Sequence, residues 1–255
     1  MKKIKLLLEY DGTEYHGWQI QKNGLTIQGI IEDRLKKITG AKTKLIAASR
    51  TDAGAHALGQ VVTFFTESCL DNEKIKKAIN ALLPKDIRVI DASEVNSTFH
   101  PRFDAKKKTY FYIISNQREI SAFLYRYSWL VPHPLKIVYI RKASKVLIGK
   151  HDFSSFKGSG SNTKNNIREI FSISIKKLEE IEFMSVSIKG NFIKISIEAD
   201  GFLRHMARNI VGTLVEIGKG RISVLDMEKI LKSCDRRLAG PTAPANGLFL
   251  ERIIY

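Results

Sequence analysis

From Ala48 to Ala57 the sequence reads Ala-Ser-Arg-Thr-Asp-Ala-Gly-Ala-His-Ala. A guanidinium, a hydroxyl, a carboxylate, a glycine and an imidazole are crowded between two strand-like runs. Loops that leave a rigid sheet are where sites tend to be placed. Asp52 can close an Asx-type turn on local backbone, with Gly54 supplying positive φ. Equally, the carboxylate, Arg50 and His56 can be the working groups of a site. The loop by itself favours neither reading.

Three further segments add to the functional side. Tyr10 to Gln19 sets Tyr10, Tyr15 and Trp18 among turn residues, as a base-stacking surface or as loop packing, the commoner role for a tryptophan. Phe99 to Tyr112 joins the basic run Lys106–Lys108 to alternating aromatics, with Tyr110 and Tyr112 on one strand face and Phe111 on the other. Aromatics beside cations suit an unpaired base and its phosphates, with a core role open to one of the two tyrosines. In Gly201 to Gly212, Arg204 and Arg208 are spaced four apart, which predicts that both project from one side of a helix near its N-terminus. Arg208 is flanked by an apolar stripe, and a partly buried guanidinium needs an anion, either Asp52 or an RNA phosphate. The bland alternative is an exposed surface arginine.

The elements that must hold these groups alternate along the chain. Strands are expected at Lys3–Tyr10, Lys44–Ala48, Gln60–Phe65 and Ile87–Glu94, with helices at Leu25–Ile38, capped by Thr26, and at Asn72–Leu82 before Pro84. Beyond them lie strands at Thr109–Ser115, Ile167–Ile175, Phe183–Ile188, Phe192–Ala199 and Gly247–Ile254. Helices are expected there at Leu135–Ile148, Leu203–Ile217 and Ser223–Leu231. Strands often follow one another directly, which favours α+β with antiparallel pairing over a doubly wound parallel sheet. Two similar lobes are expected, residues 1–105 with the Asp52 loop and residues 106–255, around a cleft.

Composition narrows the class. With 255 residues, 44% hydrophobic and 27% charged, the chain can bury a core, so disorder is excluded as its main state. No apolar run approaches the roughly 20 residues that cross a bilayer. Met1 to Glu9 begins like a signal peptide, but Lys5 and Glu9 interrupt it and no small-residue cleavage site follows. Cys69 and Cys234 form neither a disulfide framework nor a metal spacing. A cytoplasmic protein is expected. The 42 Lys+Arg against 26 Asp+Glu leave a net charge of +16, which points to a polyanionic partner, usually nucleic acid, unless it reflects a drift toward lysine.

Taken together, these segments are recognisable. Arg50-Thr51-Asp52-Ala53-Gly54-Ala55-His56-Ala57 resembles the R-T-D-x-G-V-H-A motif of the TruA family of tRNA pseudouridine synthases. Tyr10 to Gln19 resembles the family's Y-D-G-T-x-Y-x-G-W-Q, and Phe99 to Tyr110 its F-H-A-R-F-x-A…Y. Gly149 to Phe153, Phe202 to Gly212, Gly240 to Ala245 and Gly247-Leu248 match later blocks, so the resemblance runs along essentially the whole chain. Ala55, Ala207 and Pro101 depart from the usual valine, larger aliphatic and alanine; the first two remove packing volume and leave the chemical groups intact.

The resemblance implies isomerisation of uridine to pseudouridine in the tRNA anticodon stem-loop, at positions 38–40, with no cofactor and no catalytic metal. Asp52 would be the nucleophile, at uracil C6 or at ribose C1′, because a carboxylate can form a covalent intermediate and still leave. Arg208 would be its counter-cation, Tyr110 would stack on the target base, and Arg50 would help hold the nucleotide out of the helix. The family fold is α+β, two similar lobes sharing a mainly antiparallel sheet with a central cleft, and its members are usually homodimers. Lys106–Lys108 are expected near the RNA entrance.

Two rival classes remain at this level. A non-catalytic RNA-binding protein or tRNA chaperone accounts for the charge and aromatics, but not for a carboxylate at the centre of a basic protein's loop. A metal-dependent phosphohydrolase is suggested by His151-Asp152, yet the six histidines offer no second His–Asp pair or i,i+4 couple. The loop Lys157-Gly158-Ser159-Gly160-Ser161 lacks a G-x-S-x-G pattern and reads as solvated rather than nucleophilic.

Overall fold

The computed structural model describes every residue except 161, 162 and 164, so Ser161 of that loop lies outside the described residues. The chain divides into two compact units, Met1–Lys108 with Phe249–Tyr255, and Thr109–Leu248. Elements are numbered in chain order.

The first unit holds β1 (Lys2–Tyr10), α1 (Ile27–Thr39), β2 (Ile46–Ala47), β3 (His56–Thr66), α2 (Asn72–Leu82), β4 (Ile87–Val95) and most of β10 (Leu248–Ile254). Strand β1 lies between β3 and β4 and pairs antiparallel with both. On the far side of β3, β10 pairs parallel through Phe249 with His56 and Leu250 with Ala57. Thr26 caps α1 by accepting the Gly29 N–H, and Ile27, Ile31 and Leu35 form its buried stripe. Asp71 caps α2 through the Lys74 N–H, and Asn80 ties that helix to β4 through both the N–H and the carbonyl of Val89. Each fully buried Ile or Leu contributes on the order of 1.5–3 kcal/mol relative to exposure.

One boundary moves. Strand β3 begins at His56 and not at Gln60. Gly59 looks like a breaker in sequence, yet a Cβ there would stand 2.4 Å from the Glu251 carbonyl oxygen, so the glycine admits the neighbouring backbone of β10.

The second unit contains β5 (Lys107–Ser115, entering from the junction), β6 (Trp129–Leu130), α3 (Ile137–Lys145), β7 (Gly149–Asp152), β8 (Ile167–Phe183), β9 (Val186–Ala199), α4 (Met206–Gly218) and α5 (Asp226–Ser233). Strands β5, β9, β8 and β7 lie side by side, with antiparallel pairing of β8 to both β9 and β7. The α+β class and the predominance of antiparallel pairing are as expected. Along α4 every residue is buried except Arg208.

Two expectations are corrected here. The separate strands at Phe183–Ile188 and Phe192–Ala199 are not found; β8 and β9 are the arms of one long hairpin. Phe183 pairs with Val186, and the two residues between them, Met184 and Ser185, have φ of 49° and 64°. Positive φ at both central residues is the type I′ pattern, normally written Asn-Gly, so the sequence carries no visible turn signal. Arg204 is not on the helix, because His205, at φ 59°, breaks the path before Met206. The four-residue spacing therefore does not align Arg204 with Arg208.

Left-handed backbone at non-glycine residues costs on the order of 1–2 kcal/mol each. Met184→Asn with Ser185→Gly is therefore expected to stabilise the protein by about 1 kcal/mol, read as a higher urea midpoint at unchanged m-value.

Candidate active site

Residues 48–55 form the loop between β2 and β3, and several backbone groups on either side of Asp52 are pinned. The Ala48 N–H donates to the Val61 carbonyl at 2.8 Å. Gln60, fully buried in β3, accepts the Ser49 N–H at 3.3 Å and donates to the Ser49 carbonyl at 2.8 Å. Thr51 Oγ1 bonds the Tyr10 hydroxyl at 2.7 Å, and the Thr51 carbonyl accepts the Trp18 N–H at 3.0 Å. Beyond Asp52, the Ala55 N–H returns to the Asp52 carbonyl at 3.1 Å and the Gly54 N–H reaches the Tyr15 carbonyl at 3.2 Å. The Asp52 side chain is half-buried at the centre of this frame.

The segment Tyr10 to Gln19 is the cradle of that loop. Trp18, Tyr10 and Tyr15 are buried at 2%, 4% and 5% exposure, so packing is their role. Burial pushes the Tyr10 phenol up to about 12, and it also raises Tyr15, whose hydroxyl donates to Asp86 at 2.6 Å. Gly12 passes under the loop; a Cβ there would lie 1.9 Å from the Ala55 carbonyl oxygen. His56 is buried, stacks on Phe249 at 4.6 Å, and accepts the Gly12 N–H on Nδ1 at 3.1 Å. It is a structural post within the motif.

Arg50 points outward. It is exposed and, among the described residues, makes no hydrogen bond or ion pair. Lys108 does the opposite. Of the basic run expected at an RNA entrance, Lys106 is exposed, but Lys108 is 6% exposed and donates from Nζ to the Ala48 carbonyl at 2.7 Å. Its ammonium anchors the foot of the Asp52 loop, the Ala48 carbonyl supplying an acceptor that a buried cation needs.

In the second unit, Tyr110 is buried on β5 with its ring edge-on to Phe202 at 4.8 Å. Tyr112 fills the core role, its hydroxyl donating to the Pro244 carbonyl at 2.7 Å. Arg208 is held to the Gly240–Ala245 segment from both directions. Its Nε donates to the Ala243 carbonyl at 2.7 Å, and its own carbonyl accepts the Ala243 N–H at 3.2 Å. Asn209, Thr242 and Arg236 brace that segment: Thr242 Oγ1 lies 2.6 Å and Arg236 Nη2 lies 3.0 Å from Asn209 Oδ1. Nothing in the sequence pattern singled out Gln60 or Arg236, and Lys108 stood out only as part of a basic run, its bond to the Ala48 carbonyl being made across sixty residues.

The rival metal reading loses its residues to local structure. His151 Nε2 lies 3.0 Å from the Ile148 carbonyl, and Asp152 Oδ1 accepts from both the N–H and hydroxyl of Ser154. Among the described residues no three His, Cys, Asp or Glu side chains gather as a metal-binding group.

Comparison with known proteins agrees with this arrangement of motifs. Residues 7–104 and 143–255 match the family described as tRNA pseudouridine synthase. Proteins named tRNA pseudouridine synthase A from Thermoanaerobacter sp. (strain X514) and Thermodesulfovibrio yellowstonii are 46% and 44% identical over 255 residues, with 100% of each sequence covered. A protein of the same name from Acetivibrio thermocellus is 43% identical over the same span, again with both chains fully covered.

Gly12→Ala is expected to cost about 1–3 kcal/mol, because a backbone carbonyl must move to admit the methyl group; chemical denaturation measures it. The buried phenol of Tyr10 sets an alkaline limit as well. Its folded value lies above the ordinary one of about 10, so its contribution is intact below pH 10 and is lost as pH climbs toward about 12. The denaturation midpoint should fall between about pH 10 and about pH 12, and less steeply in Tyr10→Phe.

Proposed function

The chain belongs to the tRNA pseudouridine synthase family, and on that premise we propose that it isomerises uridine to pseudouridine in the anticodon stem-loop of tRNA, at positions 38–40. The observation that carries this reading is the Arg50–Ala57 loop, which presents a half-buried carboxylate on a backbone pinned on both sides. A purely RNA-binding protein of this charge has no use for such a group.

Asp52 is the nucleophile in this proposal, adding to uracil C6 or to ribose C1′. The N1–C1′ bond breaks, the base turns, and a C5–C1′ bond forms; C5 loses a proton and N1 gains one. The sum is an isomerisation that consumes no redox equivalent or co-substrate. Arg208 balances the Asp52 carboxylate, and its bond to the Ala243 carbonyl supports a fixed orientation of the guanidinium. Tyr110 stacks on the reacting base. Arg50, with no partner among the described residues, holds the phosphodiester of the extruded nucleotide. The +16 charge supplies the salt-sensitive part of tRNA affinity. The enzyme acts as a homodimer in the cytoplasm, a setting suited to two exposed free thiols at Cys69 and Cys234.

Asp52→Ala should abolish pseudouridine formation while leaving tRNA affinity within about tenfold, because the lost group acts in chemistry more than in binding. Tritium release from 5-³H-uridine tRNA measures the reaction, and residual turnover in that variant would remove Asp52 as nucleophile. Arg208→Lys keeps a charge but loses the planar fork, so a large loss of rate is expected. Wild-type kinetics would place Arg208 outside the reaction. Tyr110→Phe should keep most of the activity that Tyr110→Ala loses; equal rates in the two would argue against stacking.

A further inference from the structure

The connection from β4 to β5 carries groups that the reaction above does not use. Phe103 is 74% exposed, yet the loop presenting it is tightly knit. The His100 N–H donates to Asp104 Oδ2 at 2.9 Å, and the His100 carbonyl accepts the Asp104 N–H at 3.0 Å. Nδ1 of His100 accepts the backbone N–H groups of Arg102 and Phe103, at 3.1 and 3.2 Å. Beneath the loop, the Tyr255 hydroxyl donates to the Pro101 carbonyl at 2.9 Å and the Tyr255 ring packs on Phe99 at 4.9 Å. The Lys106 N–H donates to the Ile254 carbonyl at 2.8 Å. An aromatic ring is thus held in water on a rigid support.

The groups around that ring specify what fits. The His100 ring lies 4.3 Å from that of Phe103, tilted by 30°. With two N–H groups aimed at Nδ1, neutral His100 carries its proton on Nε2, a donor not used inside the loop. The Arg102 guanidinium stands 5.6 Å from the Phe103 ring centre and, among the described residues, has no hydrogen-bond acceptor. Lys106 is exposed close by in sequence, and the loop's one carboxylate, Asp104, is engaged by the His100 amide. A flat ring flanked by a donor imidazole and an unpaired guanidinium matches a nucleobase with its phosphodiester. An apolar protein partner would leave the guanidinium without an acceptor.

We propose that Phe103, His100 and Arg102 form a stacking subsite for an unpaired tRNA base other than the reacting uridine, with Arg102 on the adjoining phosphate. The inference rests on the tRNA reading above and adds a second point of attachment to it.

The test pairs equilibrium binding of unmodified tRNA with single-turnover tritium release at saturating enzyme. Phe103→Ala is expected to weaken binding by about ten- to a hundredfold while the rate constant at saturation stays within about twofold. Phe103→Trp should bind like wild type and have its emission quenched by tRNA. Arg102→Gln should lower the slope of log affinity against log salt by about one. Wild-type affinity in Phe103→Ala, or an unquenched tryptophan in Phe103→Trp, overturns the subsite even if the alanine variant folds poorly. A change of oligomeric state on sedimentation, at unchanged tRNA affinity, would give the face to a protein partner and also overturn it. Wild-type protein that neither binds nor converts tRNA would overturn the enzyme reading itself, an outcome visible without any variant.

Discussion

The side-chain amide of Gln60 sits where a hydrophobic residue would normally complete β3, and both of its ends are satisfied by its surroundings. Its oxygen accepts from the Ser49 and Val61 N–H groups; its nitrogen donates to the Ser49 carbonyl and to the Tyr10 hydroxyl. In a buried, low-dielectric setting each of those bonds is expensive to break without replacement. Strand, loop and cradle are thereby joined, and the loop that bears Asp52 inherits the stiffness of the sheet. The Tyr10–Thr51 bond and the Lys108 ammonium on Ala48 extend the same restraint to the neighbouring residues. The nucleophile proposed at Asp52 would gain from such mounting, since misplacement by about an ångström can cost on the order of a hundredfold in rate.

The second unit uses a comparable device with the opposite charge. Helix α4 is buried along its whole length apart from Arg208, and the chain from Gly240 to Ala245 lies against it. Arg236 is bound there by the oxygens of Ala239, Gly240, Asn209 and Thr242, all neutral. Its positive charge orders the segment without being cancelled by a carboxylate among the described residues. At Glu216, by contrast, a charge is neutralised locally. Burial alone would raise that carboxyl, but Lys219 and Arg221 hold it below its usual range.

Much of this was legible in the sequence, and the failures have identifiable causes. Helix α2 could be read to the residue, its end set by Pro84, which forbids continuation. The α+β class follows from strands succeeding strands. The Asp52 loop stood out because its mixture of groups has no place in a core. By contrast, the β8–β9 turn was hidden because Met184 and Ser185 adopt a conformation that their types do not advertise. The basic run was misjudged at Lys108, since burial is decided by a carbonyl sixty residues away. Arg204 was misplaced because spacing predicts a shared face only within one unbroken helix. Periodicity reports on neighbours along the chain; the polar bonds that position a site are made across it.

Strand β10 gives the first unit a particular relation to time. Its pairing with β3 and the Tyr255 clasp on the Pro101 loop are supplied by residues 249–255, while the rest of that unit lies within residues 1–108. A ribosome delivers the second unit before those residues emerge, so the first must wait, lacking a strand beside His56, while the other folds. The long sequence separation makes this closure a late and slow event. Chains released early would carry the Asp52 loop without the strand that buttresses its exit and without the clasp beneath Phe103. Residues 249–255 thus finish a unit that the first 108 residues begin.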